Sequence, residues 1–258
     1  MTLPQSKMNE LMDKLTPYID SNVAIGELEL ARIRREIKAL PEADERALLS
    51  ALALGAFQDV DGAKQAFEDA TYRYPSWVMV TNYKTYLKHV ADYPKLDEVI
   101  YSFADRYESK GAVHHAVEHA LWLNRDVEKY NYYLVKYMKY LNVEEQKSES
   151  ARFVPVLNDM TSCMQRAGIS AQELSRLSNV VHEVSALKKL SLLSNQISIQ
   201  GGNLTMVVSV ENAAPEVLCD ANFELAMKMA EDELIYDKSM TAFFKSSIND
   251  GASDKQKG

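Results

Sequence analysis

The sequence predicts a mainly α-helical protein: an N-terminal antiparallel array of helical hairpins, followed by a small α/β unit with one β-hairpin. Three observations carry that expectation. Gly and Pro together make only 16 of 258 residues, too few for the turns of a sandwich or barrel. Between residues 42 and 141, apolar positions recur near the helical period in segments separated by short polar breaks. One segment alone, 197–210, alternates apolar and polar residues about a Gly-Gly pair.

The elements follow in chain order. Residues 5–40 read as two helices around a break at Thr16-Pro17, the second carrying Ile25, Leu28, Leu30, Ile33 and Ile37 at helical spacing. Pro41 opens the next segment, since a first-turn proline sacrifices an N–H that had no partner. Six helices then run from Glu42 to Leu141. Their breaks fall near Asp59-Val60-Asp61, Tyr74-Pro75-Ser76, Tyr93-Pro94, Ser109-Lys110-Gly111 and Asn124-Arg125-Asp126. Connections this short make antiparallel neighbours, so residues 1–141 are expected as one helical-repeat domain.

The first hairpin carries Ala63, Ala66, Phe67 and Ala70 on its second helix, then Pro75, with Ala51 and Leu54 on the helix before. This resembles the second half of a tetratricopeptide repeat, in which small residues let two helices approach and an aromatic fills the gap to the next hairpin. The likeness spans about 42–141 and is specific in 47–75. At a 34-residue period, Asp97 and Tyr101 stand where Ala63 and Phe67 stood, and Ala104 alone agrees, with Ala70. The third hairpin keeps Ala112, Ala116 and Ala120 without the Phe or Pro. The resemblance implies a scaffold that binds other proteins.

The polar stretch 142–151 reads as a connector, and 152–246 as a small α+β domain. Helices are expected at about 152–167 and 170–187, the second opened by a Ser170-x-x-Glu173 capping box. The hairpin, 196–210, turns at Gly201-Gly202, so that Ile199 faces Leu204 and Ile197 faces Met206. A helix from about Pro215 to Lys238 is expected to cover its apolar face, with a short helix at Met240–Ser246 and a disordered tail, 247–258.

Composition narrows the function classes. With 37 acidic against 29 basic residues the formal charge is −8, which argues against a general polyanion binder. No apolar stretch approaches the ~20 residues of a bilayer crossing, and the first residues lack a signal-peptide core. Cys163 and Cys219 sit in no metal or redox motif and read as small buried hydrophobes in a reducing compartment. A soluble cytoplasmic protein without a cofactor is the expectation.

Candidate chemistry concentrates in residues 72–140, which hold 12 of the 14 tyrosines, both tryptophans and four of the five histidines. On the last helix of that window, Tyr130, Tyr133, Leu134, Tyr137 and Leu141 have core spacing, whereas Tyr132, Lys136, Lys139 and Tyr140 lie on another side. Tyrosines can simply space helices in an imperfect repeat. As a surface, Tyr132, Lys136, Lys139 and Tyr140 would grip a protein or peptide partner.

Two further constellations carry chemistry-bearing side chains. His115 and His119 are one helical turn apart and could reach one divalent ion, with His114 and Glu118 repeating the spacing beside them. Two ligands do not complete a zinc site. Arg176-Leu-Ser-Asn-Val-Val-His182 resembles the Arg-x4–6-His signature of HEPN ribonucleases, with Leu177 where that family usually has a polar residue. The resemblance implies a dimer cleaving RNA with Arg176 and His182. Phosphate loops and nucleophile elbows are missing from the sequence. The favoured expectation is therefore a non-catalytic adaptor binding a protein partner, with possible homodimerisation through the C-terminal unit. The alternative is an RNA-directed protein, either HEPN-like or an RNA-binding regulator.

Overall fold

The computed structural model describes residues 6–107, 109–211 and 213–247. Of the expected tail, 247–258, only Ser247 lies within them. Among the described residues there are eleven α-helices and one three-stranded sheet, a mainly α protein with a small α/β unit. Helices pack on their sequence neighbours, which is consistent with a helical repeat. None of the described helices is long and apolar enough to cross a membrane. The chain forms two compact units that divide between Val99 and Ile100.

The first unit holds α1 (Lys7–Asp20), α2 (Glu27–Lys38), α3 (Ala43–Ala56), α4 (Val60–Arg73), α5 (Trp77–His89) and the start of α6 (Tyr93–Tyr107). The break expected at Thr16-Pro17 is not there: α1 runs through Pro17. A proline this near the helix end costs one hydrogen bond and leaves only a last turn to form. The chain turns later, at Ser21–Gly26, where Asn22 has φ 54°. Asp59 and Ser76 cap α4 and α5 through their side chains, accepting from the Gly62 and Met79 amides. Pro94 is the second residue of α6, three residues past Ala91 (φ 56°), which makes the turn.

Within this unit α3 packs on α4 through small residues, with Ala51, Ala53, Ala63 and Ala70 all buried. Phe67, fully buried on α4, stacks on Tyr83 of α5 with ring centroids 5.0 Å apart and planes 6° apart. Tyr86 tilts against the same ring at 5.4 Å. Gly55 is what lets α3 approach α5: a Cβ there would stand 2.7 Å from Cε2 of Tyr86.

The second unit continues with α7 (Lys110–Glu118), which runs into a π-helical turn at His119–Leu123, then α8 (Val127–Met138), α9 (Val143–Ala167) and α10 (Ala171–Leu187). After these come β1 (Leu192–Gln200), β2 (Asn203–Glu211), α11 (Pro215–Glu231) and β3 (Met240–Ser247). Residues 142–151 are not a connector but the cap and opening turns of α9. Asn142 and Glu145 form a reciprocal capping box, each side chain accepting from the other's amide at 2.9 Å. The expected Ser170–Glu173 box opens α10 in the same way.

The hairpin has the expected register, with Ile199 opposite Leu204 and Ile197 opposite Met206 across a turn in which Gly201 and Gly202 have φ 59° and 87°. Two features differ from expectation. Helix α11 ends at Glu231, not near Lys238, where Asp232 starts a turn by accepting from the Leu234 amide. Residues 240–246 are not a helix but most of β3, parallel to β2 with Met206 opposite Ala242. Met240, Ala242 and Phe244 point inward while Thr241, Phe243 and Lys245 point out, a period of two. On α11, Ala221 and Leu225 are buried, but Phe223 is 68% exposed. Of the cysteines, Cys163 is half-buried and Cys219 exposed, and neither is in a disulfide.

Both sheet edges are occupied by side chains. Asn222 of α11 accepts from the Phe244 amide at 2.6 Å and donates to its carbonyl at 3.0 Å. On the other edge Arg125 donates to the carbonyl of Asn195 in β1.

Candidate functional site

Helix α8 is opened by Asp126, whose carboxylate accepts from the Lys129 amide at 2.9 Å. Its apolar stripe, Tyr130, Tyr133 and Tyr137, is buried. The opposite side presents Tyr132 and Val135, 52% and 61% exposed, and Lys136; Lys139 and Tyr140 follow at the helix end, both exposed. Much of the aromatic wealth of 72–140 is core: Tyr83, Tyr86 and Tyr93 are buried in the first unit as Tyr130, Tyr133 and Tyr137 are in the second. The exposed aromatic surface of α8 is correspondingly narrow.

Two side chains of that surface, Tyr132 and Lys136, have defined partners. Lys136 Nζ lies 2.8 Å from Asp105 Oδ1 and 4.7 Å above the Tyr132 ring. The Tyr133 hydroxyl donates to Asp105 Oδ2 at 3.0 Å, so one carboxylate on α6 fixes both a lysine and a buried tyrosine of α8. Tyr101 stacks on Tyr133 with centroids 5.2 Å apart, and Lys129 Nζ stands 4.4 Å over the Tyr101 ring. Tyr132 meets Tyr133 edge-on at 4.9 Å. The hydrogen bond to Asp105, then that to Tyr132, holds the Lys136 ammonium well above its ordinary pKa. Burial first, and Asp105 second, push the Tyr133 hydroxyl up as well. The result is a row of three rings, Tyr101, Tyr133 and Tyr132, with Lys129 over one end and Lys136 over the other. Sequence reasoning missed Asp105, Tyr101 and Lys129. Asp105 lies 28 and 31 residues from its two partners, and only the pairing of α6 with α8 brings them together.

The other sequence candidates have different surroundings. Arg176 Nε donates to Asp232 at 2.5 Å and Nη1 to Glu183 at 2.8 Å, at the edge of a polar cavity of about 360 Å³ that also borders Ser175 and Asn179. His182 is 4% exposed within the core face of α10. Six residues on a helix separate two side chains by about 120°, so the structure does not bring Arg176 and His182 together in one chain.

His119, in the π-helical turn, is buried with its ring 5.6 Å from that of Tyr101. The potential ligand atoms that converge are those of His114, His115 and Glu118, all within 4.8 Å of one another. Arg152 of α9 already occupies this cluster, with Nη2 2.6 Å from Glu118 and Nη1 3.4 Å from Nε2 of His114. A metal ion there would have to displace a guanidinium.

No protein-family model matches the chain, and neither a curated protein nor a solved structure matches it.

Proposed function

We propose that the protein is a non-catalytic, tetratricopeptide-like interaction protein, and that a protein partner docks on the outer face of α8 at Tyr132, Lys136, Lys139 and Tyr140. The observation that supports this reading most is the Tyr132 ring, half exposed yet fixed between Tyr133 and the Lys136 ammonium. A tyrosine already ordered loses little rotamer entropy on binding and offers large contact area. Because Asp105 neutralises Lys136, the surface favours a mixed apolar and polar polypeptide over a polyanion.

The test is affinity capture from the native host with the full chain as bait, compared with a Tyr132→Ala/Lys136→Ala variant. The proposal expects a defined set of proteins that the variant loses while its circular dichroism and melting temperature stay near those of the parent. Recovery of the same proteins by both baits overturns the assignment of this face. Recovery of RNA without protein favours the RNA-directed alternative.

A further inference from the structure

Helix α2 sorts its charges by face. On one side, Glu36 pairs with Lys7 and Lys14 of α1 at 2.8 and 3.5 Å, and with Arg32 at 3.4 Å. Glu29 on the same side accepts from the Tyr18 hydroxyl at 2.7 Å. These acids are therefore engaged by α1 and by their own helix. The other side carries Arg34, Arg35 and Lys38, all exposed, and no carboxylate among the described residues pairs with any of the three.

These three cations line one end of a groove of about 420 Å³. Leu30, Ala31 and Phe57, the C-cap residue of α3 and 39% exposed, supply its apolar lining. Glu27 stands at the other end. The stripe 27, 30/31, 34/35, 38 follows the helical repeat, so one face of α2 forms a continuous track about 16 Å long. Arg35 and Lys38 also complement the negative end of the helix dipole. That accounts for basic residues in the last turn, but not for an exposed aromatic and an apolar lining beside them.

We infer that this groove binds an acidic peptide segment, seating one apolar or aromatic side chain against Phe57, Leu30 and Ala31 and its neighbouring carboxylates on Arg34, Arg35 and Lys38. Guanidinium pairs recognise carboxylates through two parallel hydrogen bonds, and a groove of this volume is of ligand-pocket size. A nucleic acid is disfavoured by the short run of only three cations and by the apolar seat at Leu30, Ala31 and Phe57, which a phosphodiester backbone would leave unfilled. The site lies in the first unit and goes beyond the α8 surface, so either can fail without the other.

Fluorescence anisotropy with the full chain tests it. The probe is a dye-labelled nine-residue peptide of Asp and Glu around one central Phe. Comparison probes are the same peptide with Ser at the centre, its Lys counterpart, and a labelled single-stranded RNA. The inference expects saturable binding of the Phe peptide that weakens steeply with added salt. It expects a tenfold or greater loss with Arg34→Glu/Arg35→Glu, and Phe57→Ala should erase the preference for Phe over Ser. Should the charge reversal disturb folding, Arg34→Gln/Arg35→Gln carries the same expectation with a smaller loss. Tyr132→Ala/Lys136→Ala should leave this binding unchanged. Absence of saturable peptide binding, equal affinity in the arginine variants, or tighter binding of the RNA than of the Phe peptide would each overturn it.

Discussion

Arg125 and Asn195, 70 residues apart, are joined by two hydrogen bonds: the guanidinium gives Nε to the Asn195 side-chain oxygen and Nη2 to its carbonyl, both at 2.5 Å. Asn195 in turn donates to the Leu123 carbonyl at 2.8 Å. Both residues are nearly fully buried, and burial pushes the arginine pKa down to about 10, so it still carries its charge at neutral pH. The contact ties the end of the π-helical turn to the edge of β1.

Removing the amide should therefore be costly. Asn195→Ala is expected to destabilise the fold by about 3 kcal/mol, because a buried cation loses an acceptor and a buried carbonyl loses its donor. Arg125→Met combined with Asn195→Ala should recover part of that loss, since the buried charge leaves together with its side-chain acceptor. Urea denaturation of the two singles and the double reads the coupling. Additive losses would show that the two side chains do not act as a pair.

Gly55→Ala sets helix propensity against space. Alanine gains about 1 kcal/mol of propensity over glycine, but its methyl would fall 2.7 Å from Tyr86 Cε2, and overpacking of this kind costs about 1–3 kcal/mol. A lowered melting temperature is expected. Gly111→Ala, where nothing lies within 4 Å of the added methyl, should be neutral or stabilising.

High pH should unfold the protein through its tyrosines. Burial is the first cause raising the hydroxyls of Tyr83, Tyr86, Tyr130 and Tyr133, with Tyr86 and Tyr130 reaching about 12. Each folded-state value stands above the unfolded one near 10, so stability is intact below pH ~10 and falls as pH rises toward and through the folded values. The unfolded chain releases protons that the folded chain keeps, at about 1.4 kcal/mol per pH unit per tyrosine. Tyrosinate absorbance should rise in two stages, the second coinciding with loss of helical circular dichroism. A single smooth titration before unfolding would contradict this.

The hairpin turn discriminates between its two glycines by substitution. Gly201, φ 59°, sits where asparagine is also accepted, whereas Gly202, φ 87°, tolerates β-branched residues poorly. Gly201→Asn should leave the melting temperature nearly unchanged, and Gly202→Val should cost about 1–2 kcal/mol.

What could be read from the chain was local. The Asp59, Ser109 and Asp126 breaks, the Ser170 box and the hairpin register all depend on residues within a few positions of each other, where spacing and turn chemistry decide. The start of α9 was also local, since Asn142-x-x-Glu145 is a capping pattern, but the polar residues after it have the composition of a linker and hid it. Pro17 misled because its effect depends on how much helix remains. Strand β3 was out of reach: Met-Thr-Ala-Phe-Phe has no clean alternation of hydrophobicity, and it is a strand only because β2 offers it a ladder. For the α8 surface, the split between Tyr133 and Tyr132 followed from helical spacing, whereas Asp105 required knowing that α6 lies alongside. The cationic side of α2 was invisible for the same reason, since one must know which acids α1 has already taken.

The parallel pairing of β2 with β3 has a consequence for synthesis. The hairpin is complete once Glu211 has left the ribosome, but the strand that flanks it on the far side begins at Met240. For that interval the β2 flank of the nascent hairpin is bare, without its ladder partner. The protein is most exposed to misassociation just before β3 emerges.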